Sequence, residues 1–288
     1  MLRTRTLNTS HADIAVSETA GTGLPVLMIH GNSSCKEVFA NQLESPLGDV
    51  YRMIAFDLPG HGASSDARDP SRTYTMPGYA DLTMEILAEL GVDRAVVFGW
   101  SVGGHIGLEL LPRFSGLAGL MIAATPPLHP NPESFQGGFK PHPMLGVLSK
   151  EELTDEEVEL FAVGAYGDHV TPALRDAVRR ADGRSRSMLF GTIFDGRTSD
   201  QRALAETTKV PLAIVNGAED PMTNTDYIGS LSYASLWEKH CFVFRGEGHA
   251  PFLSNPGVFN PIFGRFVEYA SALAARRPGS QKNLKAVV

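Results

Sequence analysis

The chain has 288 residues, of which 43% are hydrophobic and 20% charged, and a net charge of -7. This is ordinary globular composition and excludes disordered, collagen-like and low-complexity classes. The acidic balance argues against nucleic acid as the main partner, and no apolar stretch is long enough to span a bilayer, so no membrane association is expected.

In chain order, residues 2–18 alternate apolar and polar around a turn-like NTSHAD and predict an edge hairpin. PVLMIH (25–30), YRMIAFD (51–57) and RAVVFG (94–99) are short continuous apolar runs, as expected of strands buried on both faces. GLAGLMIAA (116–124), VPLAIVNG (210–217) and HCFVFRG (240–246) repeat the pattern. Helical spacing falls between them, in DLTMEILAELG (81–91), VGGHIGLELLPRF (102–114) and FNPIFGRFVEYASALAARR (259–277). Strands alternating with helices predict an α/β fold: a mostly parallel sheet of about eight strands flanked by helices.

One segment breaks the alternation. Residues 125–209 hold no buried strand pattern. A Pro/Gly-rich loop opens the segment, and helical stretches follow near 149–163, 172–181 and 184–194. The expected organisation is a core from 1–127 and 209–275, an inserted helical cap over 128–208, and a flexible tail over 276–288.

GWSVG (99–103) fits G-x-S-x-G between a predicted strand and a predicted helix, the setting of a nucleophile elbow. Small flanking residues suit a backbone that passes close to the turn. A plainer reading makes Ser101 a helix cap. A serine hydroxyl needs a base, and the base an orienting acid, in chain order Ser, Asp/Glu, His. Asp220 follows the strand of AIVNG, and His249 follows the last predicted strand. Both fall on loops at the carboxyl ends of strands, where open α/β sheets carry ligand sites. Alone, Asp220 reads as a turn residue before Pro221 and His249 as a loop histidine. Glu219 is the rival acid.

HGNSS (30–34) follows the first buried strand, where a backbone N–H must meet a developing oxyanion. Asn32 and Val102 are the candidate donors; the plainer reading of Asn32 is a helix cap. His30 and His105 read as structural, and His61 and Asp57 as scaffold of the DLPGHG loop. The cap aromatics and methionines, Phe135, Phe139, Met144, Phe161, Tyr166, Met188, Phe190 and Phe194, hold the cap together, and some of them face the serine. Trp100, beside the serine, is a further pocket candidate.

The histidines show no metal-ligand spacing and no nucleotide-binding motif occurs, so neither metal nor cofactor is expected. Cys35 and Cys241 read as reduced, small buried hydrophobes of a cytoplasmic protein. The N-terminus lacks the apolar core of a signal peptide. KEELTDEEVE (150–159) reads as a solvated helix face, and Arg175, Arg179, Arg180, Arg184 and Arg186 as a solvated cap surface or a face for an anionic partner. A monomer or small homo-oligomer is expected.

With HGNSS, DLPGHG, YADLTMEIL, VVFGWSVGGHIGLE, GLMIAATPP, VNGAEDP and GHAPF in view, the chain resembles the α/β-hydrolases from about residue 3 to 275. More narrowly it is similar to their metal-independent N-acyl-homoserine lactonases. The resemblance implies Ser101 as nucleophile, His249 as base and Asp220 as acid, the spacing from Gly217 favouring Asp220 over Glu219. It implies an oxyanion hole from Asn32 and Val102, and a small acyl lactone or ester as substrate. Two departures stand out. The acid in the lactonases is glutamate, here aspartate. A cap tyrosine that binds the substrate amide is matched here by Phe161, with Tyr166 nearby. The rival functions are a carboxylesterase or amidase, and a small-molecule receptor. Epoxide hydrolases and haloalkane dehalogenases carry aspartate where Ser101 stands.

Overall fold

A computed structural model describes residues 2–276; the tail expected over 276–288 lies, from 277 onward, outside the described residues. Eight strands form one sheet: β1 (Arg3–Asn8), β2 (Asp13–Glu18), β3 (Gly23–Ile29), β4 (Tyr51–Phe56), β5 (Ala95–Trp100), β6 (Leu117–Ala123), β7 (Leu212–Gly217) and β8 (Phe242–Phe244). Their order is β1-β2-β4-β3-β5-β6-β7-β8, antiparallel from β1 through β2 to β4 and parallel from β4 to β8.

The apolar runs are continuous because both faces of the sheet are covered. Successive side chains point to opposite faces, so each run feeds two cores. Val26, Met28, Val96 and Phe98 join one core; Leu27, Ile29, Val97 and Leu120 join the other. In the first, the Phe98 ring packs against Phe39, Phe252, Phe259 and Phe263 at centroid distances of 5.2–5.5 Å. The last two of these stand on the helix Pro256–Arg276, which closes that face.

Chain order reverses direction across the sheet at β3. The strand after it, β4, lies on one side and β5 on the other. Such a switch opens a crevice at the strands' carboxyl ends. Registers Ile29↔Gly99, Trp100↔Ala123, Ala123↔Val215 and Gly217↔Phe244 align those ends across five strands.

The stretch between β6 and β7 is helical, with helices at Pro132–Gly138, Asp155–Tyr166, Pro172–Arg180, Gly183–Gly191 and Gln201–Thr207. The first lies inside the expected loop. Asn131 caps it, accepting from Ser134 N, and Pro132 fits its first turn. Helix Asp155–Tyr166 starts with a reciprocal capping box between Thr154 and Glu157. Arg175, Arg179, Arg180 and Arg184 pair with Glu159, Asp155, Asp66 and Asp182. Arg186 departs from the solvated surface expected for it: its side chain is buried. Cys35 is buried and Cys241 only partly so. Among the described residues no helix is long and apolar enough to cross a membrane.

Candidate active site

The turn from β5 into the helix Val102–Leu110 places Ser101 at φ 54°, ψ -118°. A non-glycine residue there stores strain of about 1–3 kcal/mol, which the surroundings must hold. Ser101 N donates to Ala123 O at 2.9 Å, and Thr125 Oγ1 lies 2.9 Å from Ser101 O. The glycines answer to contact: a Cβ on Gly99 would stand 2.2 Å from Gly103 O, and one on Gly103 2.0 Å from Ile29 O. Ser101 is partly exposed and lines a cavity.

His249 follows β8, and its Nδ1–H donates to Asp220 Oδ2 at 2.8 Å. Asp220 follows β7, and its other oxygen accepts from Met222 N and Thr223 N, both at 2.9 Å. Burial opposes ionisation of Asp220, but electrostatic attraction to and the hydrogen bond from the adjacent His249 ring, with those two N–H groups, outweigh it and hold the carboxyl below its usual range. Trp100 Nε1 donates to His249 O at 2.9 Å and pins the loop from behind. His249 lines the same cavity as Ser101, and among the described residues no hydrogen bond joins their two side chains. Glu219 is placed differently from Asp220: its N–H bonds Glu247 O, and the His249 ring takes its hydrogen bond from Asp220.

The turn after β3 reaches the elbow directly. A Cβ on Gly31 would lie 3.2 Å from Ser101 Cβ. Asn32 and Val102 both line the cavity, and among the described residues neither backbone N–H donates to a protein acceptor. The Asn32 side chain is tied back, donating to Leu148 O at 3.1 Å and accepting from Ser33 Oγ at 3.1 Å. Two buried histidines brace this turn. His30 Nε2 accepts from Leu58 N at 3.0 Å, and His61 Nε2 accepts from Ser33 N at 3.2 Å. Asp57 accepts from Lys36 Nζ at 2.8 Å and from Ala63 N at 2.9 Å.

The cavity, about 820 Å³ including its open mouth, is walled by Trp100, Phe135, Phe139, Met144, Phe161 and Phe190, among other residues. Tyr166 does not line it. Its ring is buried against Trp100, centroids 5.8 Å apart, and among the described residues its hydroxyl has no hydrogen-bond partner. Met188 and Phe194 also lie outside the lining. Sequence reasoning missed Leu148, Ile193 and Met222 in the wall; His105, read as structural, is buried with its Nδ1 bonded to Gln201 and also lines the cavity. Their only signal is proximity created by the fold. Among the described residues no group of three or more His, Cys, Asp or Glu side chains could hold a metal.

The chain belongs to the alpha/beta hydrolase family, whose model matches residues 26–262. Within that family it is similar to N-acyl homoserine lactonase AidH. The AidH structure complexed with N-butanoyl homoserine is 42% identical, covers 93% of this chain and 97% of that one, and superposes with a TM-score of 0.91. A mutant of AidH complexed with N-hexanoyl homoserine lactone gives 41% identity, coverage of 94% and 99%, and the same TM-score of 0.91. Among curated proteins, the pimeloyl-[acyl-carrier protein] methyl ester esterase of Nitrosomonas europaea is 27% identical over 85% of this chain and 96% of its own.

Proposed function

We propose that this protein is a serine hydrolase that opens the lactone ring of N-acyl-homoserine lactones by a Ser101–His249–Asp220 triad. The carrying observation is the 2.8 Å His249–Asp220 hydrogen bond at the rim of the cavity that holds the strained Ser101 elbow. The similarity to AidH at 42% identity supports the lactone, and that to the methyl ester esterase supports the broader class of ester hydrolysis.

Ser101 Oγ attacks the ring carbonyl carbon while His249 Nε2 takes its proton. Asp220 holds the ring with Nδ1–H inward, so Nε2 carries the free lone pair and the imidazolium is stabilised. The oxyanion accepts from the N–H groups of Asn32 and Val102; losing one such donor costs about 10² to 10³ in rate. Collapse breaks the ring C–O bond, and His249 returns its proton to the leaving oxygen. That hydroxyl stays tethered in the acyl-enzyme, so water must compete with reclosure. Water then attacks with His249 as base, and Ser101 leaves with the proton. The segment 128–208 acts as the cap, its aromatic wall taking the acyl tail at about 0.8 kcal/mol per buried CH₂.

The test is ring opening of short- and long-chain lactones by purified, chelator-treated protein. Wild type turns them over; Ser101→Ala loses at least about 10³-fold yet still binds. Efficient cleavage of simple esters with no lactone opening favours the esterase reading. Loss of activity with chelator sinks the metal-independent mechanism.

A further inference from the structure

The cavity wall holds a second imidazole that the mechanism does not use. His105 lies on the helix Val102–Leu110, and its N–H bonds Ser101 O in the i to i+4 pattern, at 3.2 Å. His105 lines the cavity with Ser101.

The polar chain behind His105 sets which ring nitrogen carries hydrogen. Glu109 is fully buried, with its oxygens accepting from Ser199 N at 2.9 Å and Ser199 Oγ at 2.7 Å, and Arg113 lies 3.5 Å away. A carboxylate so placed only accepts, so the Gln201 amide must turn its NH₂ toward it; Gln201 Nε2 donates to Glu109 Oε1 at 3.2 Å and to His105 O at 3.3 Å. Gln201 Oε1 then faces His105 Nδ1 at 2.6 Å and requires a hydrogen there. Burial keeps the ring neutral, with a pKa lowered to about 4. Nε2 is therefore a bare acceptor. It makes no hydrogen bond among the described residues and is not sealed from solvent like the buried unpartnered atoms, which leaves the cavity as its outlet. His129 also lines the cavity, but its side chain is 36% exposed and committed to Asp200 at 2.8 Å.

We propose that His105 Nε2 accepts a hydrogen bond from a donor on the substrate next to the scissile carbonyl, the amide N–H of an acylamino lactone, and so selects such lactones over those lacking a donor. This rests on the lactonase reading. The amide nitrogen stands two bonds from the carbonyl under Ser101 attack, which places its N–H in the cavity that Ser101 and His105 both line. The Phe161 wall nearby supplies no acceptor.

The experiment compares ring opening of an N-acyl-homoserine lactone with that of its carba analogue, in which CH₂ replaces the amide N–H. Wild type prefers the N–H substrate by at least about tenfold in kcat/KM, and in His105→Leu the preference falls below about twofold. A preference that survives in His105→Leu, or is absent in wild type, overturns the role of His105 while the lactonase reading stands. No opening of either lactone by wild type overturns both. A second measurement spares His105 itself: ring ¹⁵N spectra of histidine-labelled Ser101→Ala protein at pH 7. They are expected to show His105 neutral with hydrogen on Nδ1, and its Nε2 signal to move with the N–H lactone but not with the carba analogue. Hydrogen on Nε2, or no such difference, overturns the proposal.

Discussion

Arg186 Nη1 donates to Ser33 Oγ over 3.1 Å, joining the helix Gly183–Gly191 to the turn after β3. Ser33 sits at φ 50° and in turn donates to the Asn32 side chain. The other guanidinium bonds go to Lys150 O and Glu151 O, both at 2.6 Å, and no carboxylate pairs with Arg186 among the described residues. A buried cation held by neutral acceptors thus stands beside the turn that offers the Asn32 N–H. Arg186→Met removes this clasp and strands two carbonyls. We expect a loss of about 2–4 kcal/mol in urea unfolding and a fall in kcat of about tenfold or more. Arg186→Lys should recover little of either, because one ammonium cannot reproduce a planar fork.

Asp220→Asn preserves shape but turns the imidazole. The amide oxygen will keep the Met222 and Thr223 N–H bonds, leaving its NH₂ to face His249 Nδ1. The proton then sits on Nε2, where it cannot accept from Ser101. Loss of kcat of about 10⁴ is expected, with substrate affinity retained. Steady-state kinetics with Tm as control decide it, and a drop below tenfold would reassign the acid.

Acid should weaken the fold earlier than its carboxylates alone dictate. Burial lowers the pKa of His30 and of His105 to about 4 and that of His61 to about 3, from an ordinary 6.5. In the unfolded chain all three protonate below about pH 6.5; in the folded chain they stay neutral. The unfolded state binds more protons in that window, so stability falls as pH drops from 6.5 toward 4. At pH 5 each ring costs about 2 kcal/mol. Urea unfolding at pH 7 and pH 5 measures the difference, and His61→Gln should remove roughly a third of it. A flat response between these pH values contradicts the assignment.

Glycines of equal appearance in the sequence differ in what they tolerate. A Cβ at Gly103 meets backbone, Ile29 O at 2.0 Å, whereas one at Gly229 meets nothing within 4 Å. Gly103→Ala is expected to cost about 3 kcal/mol or more, since main chain cannot step aside. Gly229→Ala, in the helix Thr225–Ser230, should be neutral or stabilising by up to about 1 kcal/mol. Paired denaturation curves test both.

The sheet was legible in the sequence because burial on both faces writes strands as unbroken apolar runs, and β3 to β7 fall where those runs lie. Ser101, Asp220 and His249 could be picked out because each follows a strand, and the carboxyl ends of parallel strands gather on one edge of the sheet. Between β6 and β7 that logic gives out. A helical segment turns one side to its own core and another to the cavity, and composition is the same for both. Phe161 and Tyr166 stand on one helix, yet only Phe161 lines the cavity, while Tyr166 packs on Trp100. Arg186 looked like its solvated neighbours until the fold brought Ser33 and two carbonyls around it. His105 acquired a free lone pair only because Gln201, 96 residues away, met its other nitrogen. Local pattern determines which elements form, since it acts through near neighbours along the chain; which side chain meets the cavity depends on partners that only the packed chain brings close.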